Sequence, residues 1–396
     1  MVRIFARGIK TATGLTAMRD VRGATVASVA TVATALALLL TSATVFAGSS
    51  NSGLPQGPVI PSSDVLSSYT RSLYYFSIAP AVQRFSQVPS HAVGSSYQTP
   101  AEVAEAADCQ SFYSKFTQTG AVKIHVSFGY YDDSTGSETI YNGTNFGMNA
   151  SMDEAYLRML RKVLTGSCNG QQGLCDFTDV GGDTFRKSVR DPLTGRTVEF
   201  VLHADNSSLT PYYITNTIDR EAEQNAKSQA TREGFLNALQ TDDAVFYFGH
   251  ARNGGGPDFI PVNLLPNKHP NYRGFYETVR PGFHDMMSAI QARGAAPAVL
   301  GLYACYSEFW FGRALQAASP NTGYLFTQSD KLSGGDEHFA AGLAAMDSLV
   351  RFQCFDGMHA ELEAARKDPN MRESVRNFLS RRSPVDVQAH IPSVPD

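Results

Sequence analysis

Charge is scarce in this 396-residue chain and of no dominant sign: 18 % of the residues are charged, 33 Lys and Arg stand against 37 Asp and Glu, and the formal net charge is -4. A nucleic-acid binder needs a basic patch or stripe to neutralise phosphates, and the sequence offers none, so no DNA or RNA partner is expected. Metal-ligand spacing is missing as well. His250, Asp258, His269 and His284 are available, but no HExxH or CxxC arrangement organises them, which weighs against a metal hydrolase. The expectation is no metal and no cofactor. Internal repeats, heptads and low-complexity tracts are also absent, which excludes solenoids and coiled coils.

What the chain does have begins at its N-terminus. Arg3, Arg7, Lys10, Arg19 and Arg22, opposed only by Asp20, precede a charge-free run over residues 23–47 with ALALLL at its centre. Val45 and Ala47 then supply small residues ahead of Gly48, the layout of a signal peptide cut after Ala47. The same run, left uncut, is long enough for a bilayer span of about 20 residues; in either case the positive flank stays inside and the rest crosses. The expected location is therefore periplasmic or extracellular, with membrane contact only if the segment is uncleaved. No Cys follows the run, so there is no lipoprotein attachment point.

The five cysteines are Cys109, Cys168, Cys175, Cys305 and Cys354, and an odd number in an oxidising compartment leaves one over. Cys168 and Cys175 flank NGQQGL, a glycine-containing turn able to bring two Cα atoms within bridging distance. Cys109 and Cys354 then form a long-range bridge by elimination, although spacing alone leaves other connectivities open. Cys305 remains as a thiol. A small buried hydrophobe is the ordinary role of such a cysteine, so its neighbours in sequence must decide.

Residues 48–115 are rich in Ser, Pro and Gly toward their start and read as an irregular N-terminal arm. A strand is expected at 121–128 (AVKIHVSF), and a helix at 151–164 with Met152, Tyr156, Met159, Leu160 and Val163 on one face. Ser151 and Glu154 have the spacing of a capping box. A hairpin is expected where 185–190 and 197–203 flank Asp191-Pro192-Leu193-Thr194-Gly195. Helices at 219–239, 282–292, 309–317 and 336–350 then alternate with apolar runs at 244–248, 298–303 and 323–327. That alternation predicts an α/β domain over 116–356 with a mostly parallel sheet covered on both faces. Residues 357–396 read as two short helices, 358–367 and 371–380, and a polar tail from 387. Asn142, Asn149 and Asn206 each begin an Asn-X-Ser/Thr sequon.

Two strand ends carry chemistry. In an open parallel sheet, functional groups gather where the carboxyl ends of strands meet the following loops. His250 stands one glycine past the 244–248 run and opens a loop, ARNGGGP, that reads as flexible; Cys305 stands at an equivalent place after the 298–303 run. A Cys and a His that meet in this way make a nucleophile and its general base or acid. A helix starting just after Cys305 would favour the thiolate through its dipole.

The sequences FGHA at 248–251 and YAC at 303–305 resemble the paired motifs of the caspase-like cysteine peptidases, which include caspases, legumains, gingipains, clostripain and separases. The resemblance spans residues 121–354. It implies a three-layer α/β/α sandwich with a mostly parallel sheet and an endopeptidase acting on protein or peptide substrates. His250 and Cys305 would form the dyad, with the backbone N-H groups of Ala251 and Cys305 at the oxyanion. One position departs from the pattern: the family's glycine after the histidine is Ala251, whose Cβ narrows the allowed backbone geometry. For the first subsite, Asp330, Asp336 and Glu337 suit a basic side chain and Arg252 and Arg313 an acidic one. A catalytically silent binding protein on the same fold is the alternative, since fold does not fix function.

Overall fold

Val122, Ile124, Val126 and Phe128 alternate with Lys123, His125 and Ser127, so β1 (Ala121–Phe128) presents one wholly apolar face. In this computed structural model, which describes residues 70–376 apart from 72, 97, 132–137, 142–143, 149–151, 213–214, 267–269, 295, 329–334 and 367–372, β1 is central to the main sheet. It pairs in parallel with β6 (Thr197–Asn206) on one side and β7 (Ala244–Phe248) on the other. Beyond β7, β8 (Val299–Tyr303) and β9 (Gly323–Thr327) continue in parallel. Beyond β6, β5 (Thr184–Arg190) and then β4 (Thr178–Gly181) are antiparallel, while β10 (Glu373–Arg376) closes the other edge antiparallel to β9. The order in this eight-stranded sheet is β10-β9-β8-β7-β1-β6-β5-β4. A separate antiparallel pair, β2 (Glu138–Tyr141) and β3 (Thr144–Met148), follows β1 in the chain.

Helices cover both faces. On one, α3 (Asp153–Thr165) and α7 (Gly335–Val350) pack Met159, Leu160, Leu343 and Met346 against Ile124, Phe128 and Phe246, with α8 (Phe355–Ala365) and α1 (Ala79–Phe85) in the same core. On the other, α4 (Glu221–Thr241), α5 (Pro281–Arg293) and α6 (Arg313–Ala318) bring Phe235, Met286, Ile290 and Leu315 onto Tyr247, Leu300 and Phe326. The protein is a three-layer α/β/α sandwich. Strands β7 and β8 read as unbroken apolar runs because alternate side chains enter the two cores.

Both expected bridges form. Cys109 joins Cys354 across 245 residues, and Cys168 joins Cys175; Cys305 lies outside them. Two bridges fit an oxidising compartment.

Four expectations need correction. The arm is not irregular throughout: residues 79–85 are helical, and α2 (Pro100–Thr117) is capped by Thr99, whose Oγ1 accepts from Glu102 N while Glu102 accepts from Thr99 N at 2.7 Å. The apolar residues of α2 are spread around the helix; among its described side chains Cys109 and Tyr113 are buried, and the disulfide tethers it. At the start of α3, Met152 occupies the N-cap without a side-chain bond, and Glu154 turns instead to Arg158, 2.6 Å away. The helix expected at 371–380 is replaced over 373–376 by β10, which takes up the edge hydrogen bonds that β9 would otherwise leave open. Asn206 is buried, with its amide donated to Asp153 and the Ser208 carbonyl, so its sequon is closed to glycosylation. The signal segment 1–47, the C-terminal tail, Ser151, Asn142, Asn149, His269 and Asp330 lie outside the described residues.

Candidate functional site

From β6 the chain crosses over α4 to β7 on the far side of β1, so the strand order reverses at β1 and opens a crevice at the carboxyl ends. Three loops converge there. Gly129 N donates to Phe248 O at 2.8 Å and Gly249 N to Tyr303 O at 3.2 Å, which extends the ladders of β1, β7 and β8 past their ends. Phe248 pairs with Tyr303. His250 and Cys305 therefore occupy equivalent positions just beyond neighbouring strands.

The loop after β7, read from its glycines as flexible, is tied down by hydrogen bonds and close packing. Tyr247, fully buried, accepts from Asp258 N at 2.8 Å and places its hydroxyl 3.1 Å from the carbonyls of both His250 and Asp258. Gly249 and Gly256 permit this closure: a Cβ on the first would lie 2.4 Å from the Tyr247 hydroxyl, and on the second 2.5 Å from His250 O. Arg252 is consumed by a buried ion pair with Asp258 at 2.7 Å, which removes it as a subsite cation. Ala251 lies at φ -78° and ψ -19°, an ordinary right-handed conformation, so the alanine after His250 carries no backbone strain. The left-handed residues are the next three, Arg252, Asn253 and Gly254.

The loop after β8 is held by Ser307. Its hydroxyl donates to Leu302 O at 2.6 Å and accepts from Thr327 N at 2.9 Å, while the Thr327 hydroxyl donates to Ala304 O. Cys305 is half-buried in this turn, immediately before the helical segment Glu308–Gly312 that leads into α6.

Tyr131 joins the two loops. Its ring stacks on His250 with centroids 4.8 Å apart, and its hydroxyl is held far above the usual phenol range by burial first, then by the charges of Cys305 and Asp336. The phenol thus stays protonated within electrostatic reach of the thiol. Around Cys305, Tyr131, Asp153, Tyr156, Tyr303 and His338 bound a narrow, shallow cleft. Asp153 is buried and fully engaged, accepting from Ser208 N at 2.6 Å, from the Ser208 hydroxyl and from Asn206. Burial pulls the His338 imidazole down to about 4, so it is neutral at physiological pH.

No family model, curated protein or solved structure matches this chain. The site is read from its own geometry.

Of the residues singled out in the sequence, His250 and Cys305 stand two residues past adjacent strand ends, Asp336 acts on Tyr131 beside His250, and Ala251 packs into the core that α4, α5 and α6 cover. Glu337 shares the first turn of α7 with Asp336. Arg313 and His284 are exposed on α6 and α5. Among the described residues, the group with metal-ligand spacing is Cys168, Cys175 and Asp176, whose two sulfurs are already bonded to each other. Tyr131, Asp153 and His338 also line the cleft. Tyr131 stands three residues past the end of β1, one place beyond the position that matches His250 after β7, and nothing local in the sequence marks Asp153 or His338.

Proposed function

We propose that this protein is an exported cysteine endopeptidase of the caspase-like type, with Cys305 as nucleophile and His250 as general base and acid. The β7–β8 register supports the reading, because His250 and Cys305 each follow by two residues the paired ends, Phe248 and Tyr303, of adjacent parallel strands. His250 takes the Cys305 thiol proton, the thiolate attacks the scissile carbonyl carbon, and the carbonyl π electron pair moves to oxygen. Backbone N-H groups of Ala251 and Cys305 then stabilise that oxyanion. Collapse expels the amine, which takes a proton from His250 and leaves a thioester on Cys305. Water, losing a proton to His250, adds to the thioester; the carboxylic acid departs and the thiol is restored. Tyr131 fixes the imidazole plane by stacking. The signal segment and the two disulfides support an extracytoplasmic setting.

Acyloxymethyl ketone probes carrying Arg, Lys, Asp or Asn, followed by mass spectrometry, test this. One probe should add covalently to Cys305 in the wild type and fail to add in His250→Ala. Absence of any adduct while a small alkylating reagent still reaches Cys305 would replace the peptidase with a silent binding protein on the same fold.

A further inference from the structure

The two loops are also joined outside the cleft. Arg280 ends the long connection from β7 to α5, in a left-handed conformation (φ 47°, ψ 52°) at the N-cap of α5. Its Nε donates to the carbonyl of Gly254 at 2.9 Å, and its Nη2 to the carbonyl of Trp310 at 3.3 Å. Gly254 belongs to the turn that His250 opens; Trp310 belongs to the helical segment that follows Cys305. The guanidinium face rests on the Phe283 ring, 4.0 Å from its centroid. Gly254 has φ 88°, and a Cβ there would lie 2.9 Å from Trp310 Cε3 and 3.2 Å from Arg280 Nη2. The indole and the guanidinium therefore fill the space that glycine leaves.

We propose that Arg280 is a positioning residue: by bonding one carbonyl in each loop, with Trp310 seated against Gly254, it fixes the separation of His250 from Cys305. This rests on the reading of those two residues as a dyad. A guanidinium is suited to the task because its donors sit in a rigid fork, whereas a lysine ammonium is a point donor on a flexible stem. The separation matters chemically, since an imidazolium beside a cysteine lowers the thiol pKa from about 8.5, and displacing a reacting group by about 1 Å can cost on the order of 100-fold in rate.

The test is the rate of Cys305 alkylation by iodoacetamide as a function of pH in the full mature protein, with melting temperature and disulfide content recorded for each variant. The wild type should show a reactive thiolate well below the ordinary inflection at about 8.5, and His250→Ala should return the curve to it. Arg280→Met should shift the curve toward that of His250→Ala and lower kcat on a cleaved peptide by roughly 10- to 100-fold with KM little changed. Arg280→Lys should fall between, and added guanidinium ion should partly restore Arg280→Ala, which a merely unfolded loop would not allow. Gly254→Ala should shift the curve in the same direction from the other side of the contact. If Arg280→Met and Gly254→Ala keep the wild-type curve while His250→Ala loses it, the positioning role is refuted and the dyad stands. If wild type and His250→Ala coincide, the dyad reading fails and takes this inference with it.

Discussion

His338 gives the stability of the fold a defined acid limb. The imidazole is buried in the cleft wall and titrates at about 4, against 6.5 for the unfolded chain, with burial as the cause. A group whose folded pKa is depressed stabilises the fold above its unfolded pKa, and that contribution drains away as pH falls toward the folded value. Between pH 6.5 and 4 the unfolded chain binds the proton first. At about 1.4 kcal/mol per pH unit, the loss accumulates to roughly 3 kcal/mol by pH 4 and then stops. Urea unfolding at a series of pH values, wild type against His338→Gln, isolates this contribution, because every other titrating group is common to both proteins. The difference in unfolding free energy should be constant above neutrality and shrink steadily below pH 6.5, even if the variant is weaker overall. Parallel curves from pH 7 to pH 4 would refute the assignment of a neutral, desolvated imidazole.

Two further outcomes follow from groups far from the cleft. Glu361 is buried, accepts from Ser348, Arg351 and Gln353, and has its pKa pushed up to about 8 by burial and by Asp347; here the folded state holds the extra proton, so stability falls as pH rises from about 4.5 to about 8. Glu361→Gln should flatten that fall between about pH 4.5 and about pH 8 in the same urea series. Replacing Cys109 and Cys354 by Ser opens a loop of 245 residues, against 7 for Cys168 and Cys175; loop entropy places the losses at roughly 5 and 2–3 kcal/mol respectively, readable as the order of the two melting temperatures.

Much of the sandwich is legible in the sequence, and for a physical reason. Strands β7 and β8 are apolar at every position because both faces are covered, and each is followed by a small residue, Gly249 or Ala304, where the chain leaves the sheet. That combination marks both the centre of the sheet and the places where His250 and Cys305 stand. The disulfides were legible because one pair flanks a short turn. The remainder depends on contacts distant in sequence. Helix α2 spreads its apolar residues around its circumference and is held by Cys109; β10 exists through its pairing with β9; Asp153 faces the cleft because Ser208 and Asn206 claim its oxygens. The glycines of ARNGGGP signal flexibility in the sequence, whereas in the fold they allow close approach to Tyr276, Trp310 and the His250 carbonyl.

The Cys109–Cys354 bridge also sets the covalent topology of the molecule. It closes a ring that contains Tyr131, Asp153, His250, Arg280, Cys305 and His338, so the whole cleft and its clamp belong to one loop of chain. A single backbone cut anywhere between residues 110 and 353 turns that ring into a linear arrangement of two segments still joined through sulfur. Such a nicked molecule keeps its full mass until it is reduced. Processing within the α/β domain can therefore change the freedom of a loop without releasing either half of the site.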